Sequence, residues 1–134
     1  EFKDKFDERN LIIDLDLPSN NVNIQADNRY MYRIIENLYS NVSKYTMENT
    51  RVYITLLKTN DEIRLEIKNV SKDKLNITAD ELMQRFVRGD KSRYTEGSGL
   101  GLSIAKSLCE LQDCKFDIEI DGDLFKAVLI WNIK

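Results

Sequence analysis

The sequence contains no histidine. That absence removes Ser-His-Asp and Cys-His nucleophile systems, together with every zinc site that depends on imidazole. Cysteine is nearly as scarce. Cys109 and Cys114 are the two present, and their spacing matches neither a CxxC pair nor a disulfide framework, so reduced thiols in a cytosolic setting are expected. There is a single proline, and only five glycines, so no Pro/Gly-rich linker divides the chain. Positive charge is not in excess either: the formal net charge is −3, which offers no field to draw nucleic acid or anionic lipid, and no nucleic-acid partner is expected. No apolar run approaches the ~20 residues of a membrane span. Chemistry that needs neither histidine nor paired thiols stays open, above all phosphoryl transfer, in which positioning and a metal supply most of the catalysis.

What is present amounts to one domain: 134 residues, 42% apolar and 32% charged. Residues 1–9 are mostly charged and are expected to be the end of a preceding helix or a linker, with residues 10–134 forming a single domain. A strand is expected over 11–17. Asp27 can cap a long helix over 28–48, whose apolar stripe is Met31, Ile34, Ile35, Leu38, Val42 and Tyr45. Alternation over 51–57 and 63–68 reads as a hairpin turning at Asn60-Asp61. A short helix is expected at 79–86, a mobile loop at 87–96, and a second helix from Ser98 to Gln112 with Leu100, Ile104, Leu108 and Leu111 as its apolar stripe. The chain closes on a hairpin in which Asp121-Gly122 signals a type I′ turn. Together these elements predict an α+β fold, a two-layer sandwich of a mixed, mostly antiparallel sheet packed on about three helices.

Two clusters carry chemistry. Three of the five glycines crowd into Gly97-Ser98-Gly99-Leu100-Gly101-Leu102. Glycine lets backbone approach a ligand closely, and a helix start behind it offers free N–H groups to phosphate. The run lacks the strand-first context of a dinucleotide fingerprint and the Gly-Lys-Ser/Thr of a P-loop. The alternative is a tight turn into a helix with no ligand. On the long helix, Asn37, Asn41 and Lys44 share one stripe, a set suited to magnesium and the phosphates around it, or else a plain solvated flank.

Taken together, these segments resemble the catalytic ATP-binding domain of sensor histidine kinases. Residues 36–46, Glu-Asn-Leu-Tyr-Ser-Asn-Val-Ser-Lys-Tyr-Thr, are similar to that family's N box. Residues 97–105 resemble its second glycine box, and Met83 to Arg88 its F box. The resemblance covers about 10–134 and implies the Bergerat fold shared with gyrase, the mismatch-repair ATPases and the heat-shock-chaperone ATPases. It implies that ATP and Mg2+ bind here, with Asn41 as the metal ligand and Asn37 beside it. Lys44 and Tyr45 would contact phosphate and ribose, Gly97 to Leu102 would wrap the phosphates, and residues 87–96 would form a lid from which Arg88 reaches the γ-phosphate; Phe86 belongs to the same site. ATP-hydrolysing relatives place a water-activating glutamate where this chain has Asn37, an amide that cannot act as a base, and Glu36 is rotated ~100° off the stripe. This favours kinase over ATPase, with no acid or base catalyst in the domain.

The family's DxGxG box is replaced by Asn69-Val70-Ser71-Lys72-Asp73. Asn69 stands where an aspartate receives the adenine amino group, and an amide, with one donor and one acceptor face, suits either purine. The resemblance further implies a histidine-bearing dimerisation domain of the same kinase as phosphate acceptor, and a response regulator reached through that domain. The parent would be a membrane-anchored homodimer with this domain in the cytoplasm. Two other functions are a regulatory module that has lost kinase activity and an anti-sigma-type serine kinase of the same superfamily. Arg88-Gly89-Asp90 is a chance adhesion tripeptide, and Cys109 is expected to be a small core residue.

Overall fold

Alternation along the strands gives the sheet one face for the helices and one for charged side chains. A computed structural model describes residues 3–18, 27–72 and 100–132. Five strands, β1 (Ile12–Asp16), β2 (Arg51–Lys58), β3 (Glu62–Val70), β4 (Cys114–Asp121) and β5 (Leu124–Asn132), form one sheet in the order β1-β2-β3-β5-β4. β1 pairs parallel with β2 and every other pairing is antiparallel. Helices α1 (Lys3–Glu8), α2 (Asn28–Tyr45) and α3 (Leu100–Glu110) complete the described fold, so the expected mixed sheet and α+β sandwich are observed. Among the described residues, no helix is long and apolar enough to cross a membrane.

The inner face of the sheet carries Val52, Ile54, Ile63, Ile67, Phe116, Ile118, Ala127, Leu129 and Trp131, all buried in one core with the helices. The outer face holds a charged lattice. Arg64 Nε meets Glu66 Oε2 at 2.6 Å, and Lys126 Nζ lies 3.4 Å from Glu119 Oε1 and 3.9 Å from Glu66 Oε1. β1, at the sheet edge, leaves Ile12 and Leu15 more than half exposed.

α2 starts as expected: the Asp27 carboxylate accepts from the Arg29 backbone N–H at 2.8 Å. Its inward residues are Ile34, Leu38 and Val42. The helix stops at Tyr45 rather than 48, because Thr46 turns extended (φ −79, ψ 139) and bridges to Ser71. The Met47 N–H donates to the Val70 carbonyl and the Lys72 N–H to the Tyr45 carbonyl, each at 2.8 Å, so strand pairing outcompetes another helical turn.

α3 departs from the expected stripe. Leu102, Ala105 and Cys109 enter the core, Ile104 and Leu108 are half-buried, and Leu111 is 69% exposed. A helix this uniformly apolar supports more than one stripe, and contact with α2 and β4 selects the register. It ends at Glu110, and Asp113 just beyond it takes the left-handed conformation (φ 56) that often closes a helix. The closing hairpin also differs in detail. Asp121 opposes Leu124, so Gly122-Asp123 is the two-residue loop, and only Gly122 has positive φ (63). That is the signature of a type II′ turn, not type I′.

α1 is docked on the domain. Phe6 is buried, with its ring edge-on to Tyr39 at 6.0 Å, and Asn10 (φ 56) then turns the chain into β1.

Candidate nucleotide-binding site

Helical geometry sets Asn37, Asn41 and Lys44 along one flank of α2, beside the core stripe, and all three are half-buried. The Asn37 Nδ2 is buried without a hydrogen-bond partner. Tyr45, also half-buried, closes the helix.

β3 runs further than 63–68 and carries Asn69 within it, opposite Phe125 on the inner face. Asn69 is 2% exposed. Its Nδ2 donates to the Thr46 hydroxyl at 3.0 Å, and its Oδ1 is buried with no partner. Nearly all buried polar atoms are satisfied in folded proteins, so this orphaned acceptor beside the end of α2 is open to a further donor. With the donor face of the amide turned to Thr46, the acceptor face is the one left over.

Thr46 has no exposed surface and is the junction of three segments. Its backbone N–H closes α2 on the Val42 carbonyl at 3.1 Å, its hydroxyl holds Asn69, and its carbonyl accepts from the Arg9 Nη2 just after α1. The Arg9 backbone carbonyl in turn accepts from the Asn49 N–H at 3.0 Å. The sequence reading gave roles to neither residue. Thr46 carried a signal, a β-branched hydroxyl closing the N-box run, whereas Arg9 carried none.

At the other end of α2, the Gln112 side-chain oxygen accepts from the Asp27 N–H at 2.7 Å, clamping that helix start to the end of α3. Of the glycine run, Leu100 and Gly101 begin α3, and Leu102 is a core residue at 2% exposure, so its side chain is not free to touch a ligand. Phe86, Arg88, Gly97, Ser98 and Gly99, the expected helix at 79–86 and the expected loop at 87–96 lie outside the described residues. Among the described residues no group of three or more His, Cys, Asp or Glu side chains could hold a metal ion. A hard cation would therefore use amide oxygens and phosphate here, and the half-buried Asn41 suits that donor set.

A five-stranded mixed sheet backed by helices, with a polar helix flank beside an orphaned amide, is the setting of a nucleotide-binding domain. Residues 26–126 match the family described as histidine kinase-, DNA gyrase B-, and HSP90-like ATPases, and the chain belongs to that family. Within it, the similar curated proteins are sensor kinases. Sensor protein GtcS of Aneurinibacillus migulanus is 35% identical over 103 residues, covering 77% of this chain and 28% of that protein. Sensor histidine kinase HprS of Escherichia coli is 39% identical over 92 residues, covering 68% of this chain and 20% of that protein. The chain thus spans less than a third of either relative. The fold is also that of the catalytic domain of histidine kinase ThkA, with a TM-score of 0.81 at 21% identity over 98% of this chain and 84% of that one.

Proposed function

We propose that this domain binds ATP with Mg2+ and delivers the γ-phosphoryl group to a histidine on a separate dimerisation domain of the same sensor kinase. The observation that carries the nucleotide reading is the orphaned Asn69 Oδ1, which would accept from the adenine 6-amino group. Asn41 would hold the metal through its carboxamide oxygen, Asn37 would lie beside it, and Lys44 and Tyr45 would reach phosphate and ribose. Magnesium, when bound, supplies charge neutralisation at the β- and γ-phosphates. The backbone N–H groups from Gly97 to Leu102, ahead of and within the first turn of α3, would face the phosphates. Phe86 and Arg88 complete the proposed site.

The domain's own residues orient the triphosphate and offer it positive charge and N–H donors. A bond forms between an imidazole nitrogen and the γ-phosphorus while the bond to the β,γ-bridging oxygen breaks, and ADP leaves. Asn37 has no lone pair basic enough to activate water, which supports transfer over hydrolysis. Two proteins of this fold support the wider picture. Full-length ShkA was solved in complex with AMPPNP, and ThkA with response regulator protein TrrA. A response regulator acting after the dimerisation domain, and a membrane-anchored homodimeric parent with this domain in the cytoplasm, belong to the same proposal.

The test supplies the histidine-bearing dimerisation domain in trans with labelled ATP. Acid-labile phosphate on that domain is expected. ATP binding without transfer would instead make the domain a regulatory module, and acid-stable phosphate on a protein serine would make it a serine kinase.

A further inference from the structure

We propose that Arg9 is a positioning residue for base recognition, acting through Thr46 on Asn69. The inference rests on the reading of Asn69 as the group that meets the adenine amino group.

The path consists of three contacts. The Arg9 Nη2 donates to the Thr46 carbonyl, the Thr46 hydroxyl accepts from the Asn69 Nδ2 at 3.0 Å, and the Asn69 Oδ1 is left without a partner. Each link restricts the next. Thr46 sits where α2 gives way to extended backbone (φ −79, ψ 139), so holding its carbonyl holds the backbone from which its side chain projects. The last carbonyls of a helix lack intrahelical partners, and a cation there both satisfies one and complements the helix dipole. Threonine is stiff at χ1, so a fixed backbone means a fixed Oγ1. An amide is planar, so anchoring Nδ2 fixes the direction in which Oδ1 faces.

Arg9 is itself held from the N-terminal side. It follows α1 directly, and α1 is seated by the burial of Phe6 against Tyr39. The Arg9 Nε is buried without a partner, so the guanidinium is held through its Nη2 contact to the Thr46 carbonyl. Seating of the N-terminal helix and reading of the base are therefore coupled, and by linkage the coupling is reciprocal.

The test compares ATP with purine riboside triphosphate, which keeps the sugar and phosphates and lacks the 6-amino group. Both are titrated into the 134-residue chain. The wild type is expected to bind ATP about five-fold more tightly, the worth of one net neutral hydrogen bond. Arg9→Met should bring that ratio close to one by weakening ATP alone. Thr46→Val, which removes the hydroxyl and keeps the shape, should do the same. In an Asn69→Ala background, Arg9→Met should change the ratio no further.

Equal weakening of both triphosphates by Arg9→Met would show a merely structural role and overturn the proposal. So would an unchanged ratio in a folded variant. If Arg9→Met does not fold, Arg9→Lys, which keeps the charge and loses the reach of the guanidinium, is subject to the same two criteria. A wild type that does not distinguish the two triphosphates would instead sink the reading of Asn69, and the role of Arg9 with it.

Discussion

Replacing Asn69 with aspartate puts a carboxylate at a site only 2% exposed. The Thr46 hydroxyl, which now accepts from Nδ2 at 3.0 Å, can donate to a carboxylate instead, so this contact survives with its direction reversed. The second oxygen then carries charge where Oδ1 is now orphaned. In the empty domain this destabilises, since leaving a buried acceptor unsatisfied costs about 1–3 kcal/mol and more when it is ionised. The Arg9 guanidinium on the Thr46 carbonyl offsets part of that cost. Burial raises the carboxyl pKa above its unfolded value, so the protonated form stabilises at low pH and that contribution is lost as pH rises through the folded value. The variant should therefore fall furthest below the wild type in melting temperature at neutral and alkaline pH.

Nucleotide reverses the balance. A charge-assisted hydrogen bond from the adenine amino group is roughly twice as strong as a neutral one, a gain of about 1 kcal/mol or a factor of about five to ten in Kd. Guanine presents a carbonyl oxygen at the same edge and would be repelled. Titration calorimetry with ATP and GTP, paired with thermal unfolding across pH, reads all three effects. Equal ATP-to-GTP ratios in the two proteins would refute the placement of Asn69 against the base.

Asn41→Ala should weaken ATP binding in the presence of magnesium and change it little in its absence; equal losses under both conditions would remove Asn41 as metal ligand. The chain incubated alone with labelled ATP should carry no acid-labile phosphate, since it has no histidine, and a stable phosphoamidate on it would contradict this. Gly122→Ala should destabilise the fold by about 1–2 kcal/mol in denaturant titration, and since a Cβ there meets nothing within 4 Å, the loss comes from the positive φ alone. Gly122→Asn should lose less. Cys109 and Cys114 are buried, and the hydrogen bond with Cys114, with burial added, pushes the Cys109 thiol well above the usual cysteine range. Alkylation of Cys109 at neutral pH should therefore proceed only as fast as unfolding, and rapid labelling of Cys109 in the native chain would disprove that environment.

Periodicity alone revealed α2, because Ile34, Leu38 and Val42 stand out against polar neighbours. It misplaced the buried side of α3, where Leu100, Ile104, Leu108 and Leu111 make as good a stripe as the Leu102, Ala105 and Cys109 that the core takes. Both hairpins were legible from alternation. The end of α2 was not, since Thr46 leaves the helix to pair with Ser71, a partner 25 positions away that no local preference announces. The candidate site shows the same division. Asn37, Asn41 and the glycine run were visible as motifs. The links from Arg9 to Thr46 and from Thr46 to Asn69 exist only through tertiary contact, one reaching from the charged N-terminal segment and the other from the end of β3.

The neck between β3 and β5 has a consequence for how the chain reaches this fold and how it can change. Val70 opposes Leu124, and just beyond them the Ser71 N–H donates to the Asp123 carbonyl at 2.7 Å. Residues 71–123, among them α3 and β4, thus lie between the two arms of one clasp. Closing so long an excursion makes the central ladder a late, slow step, with the local β2–β3 and β4–β5 hairpins available to form first. Once closed, the clasp is insensitive to what it encloses, because closure entropy grows only logarithmically and each doubling of loop length costs about 0.6 kcal/mol. Length changes in this span outside α3 and β4 are therefore thermodynamically cheap, and the sheet keeps its register through them.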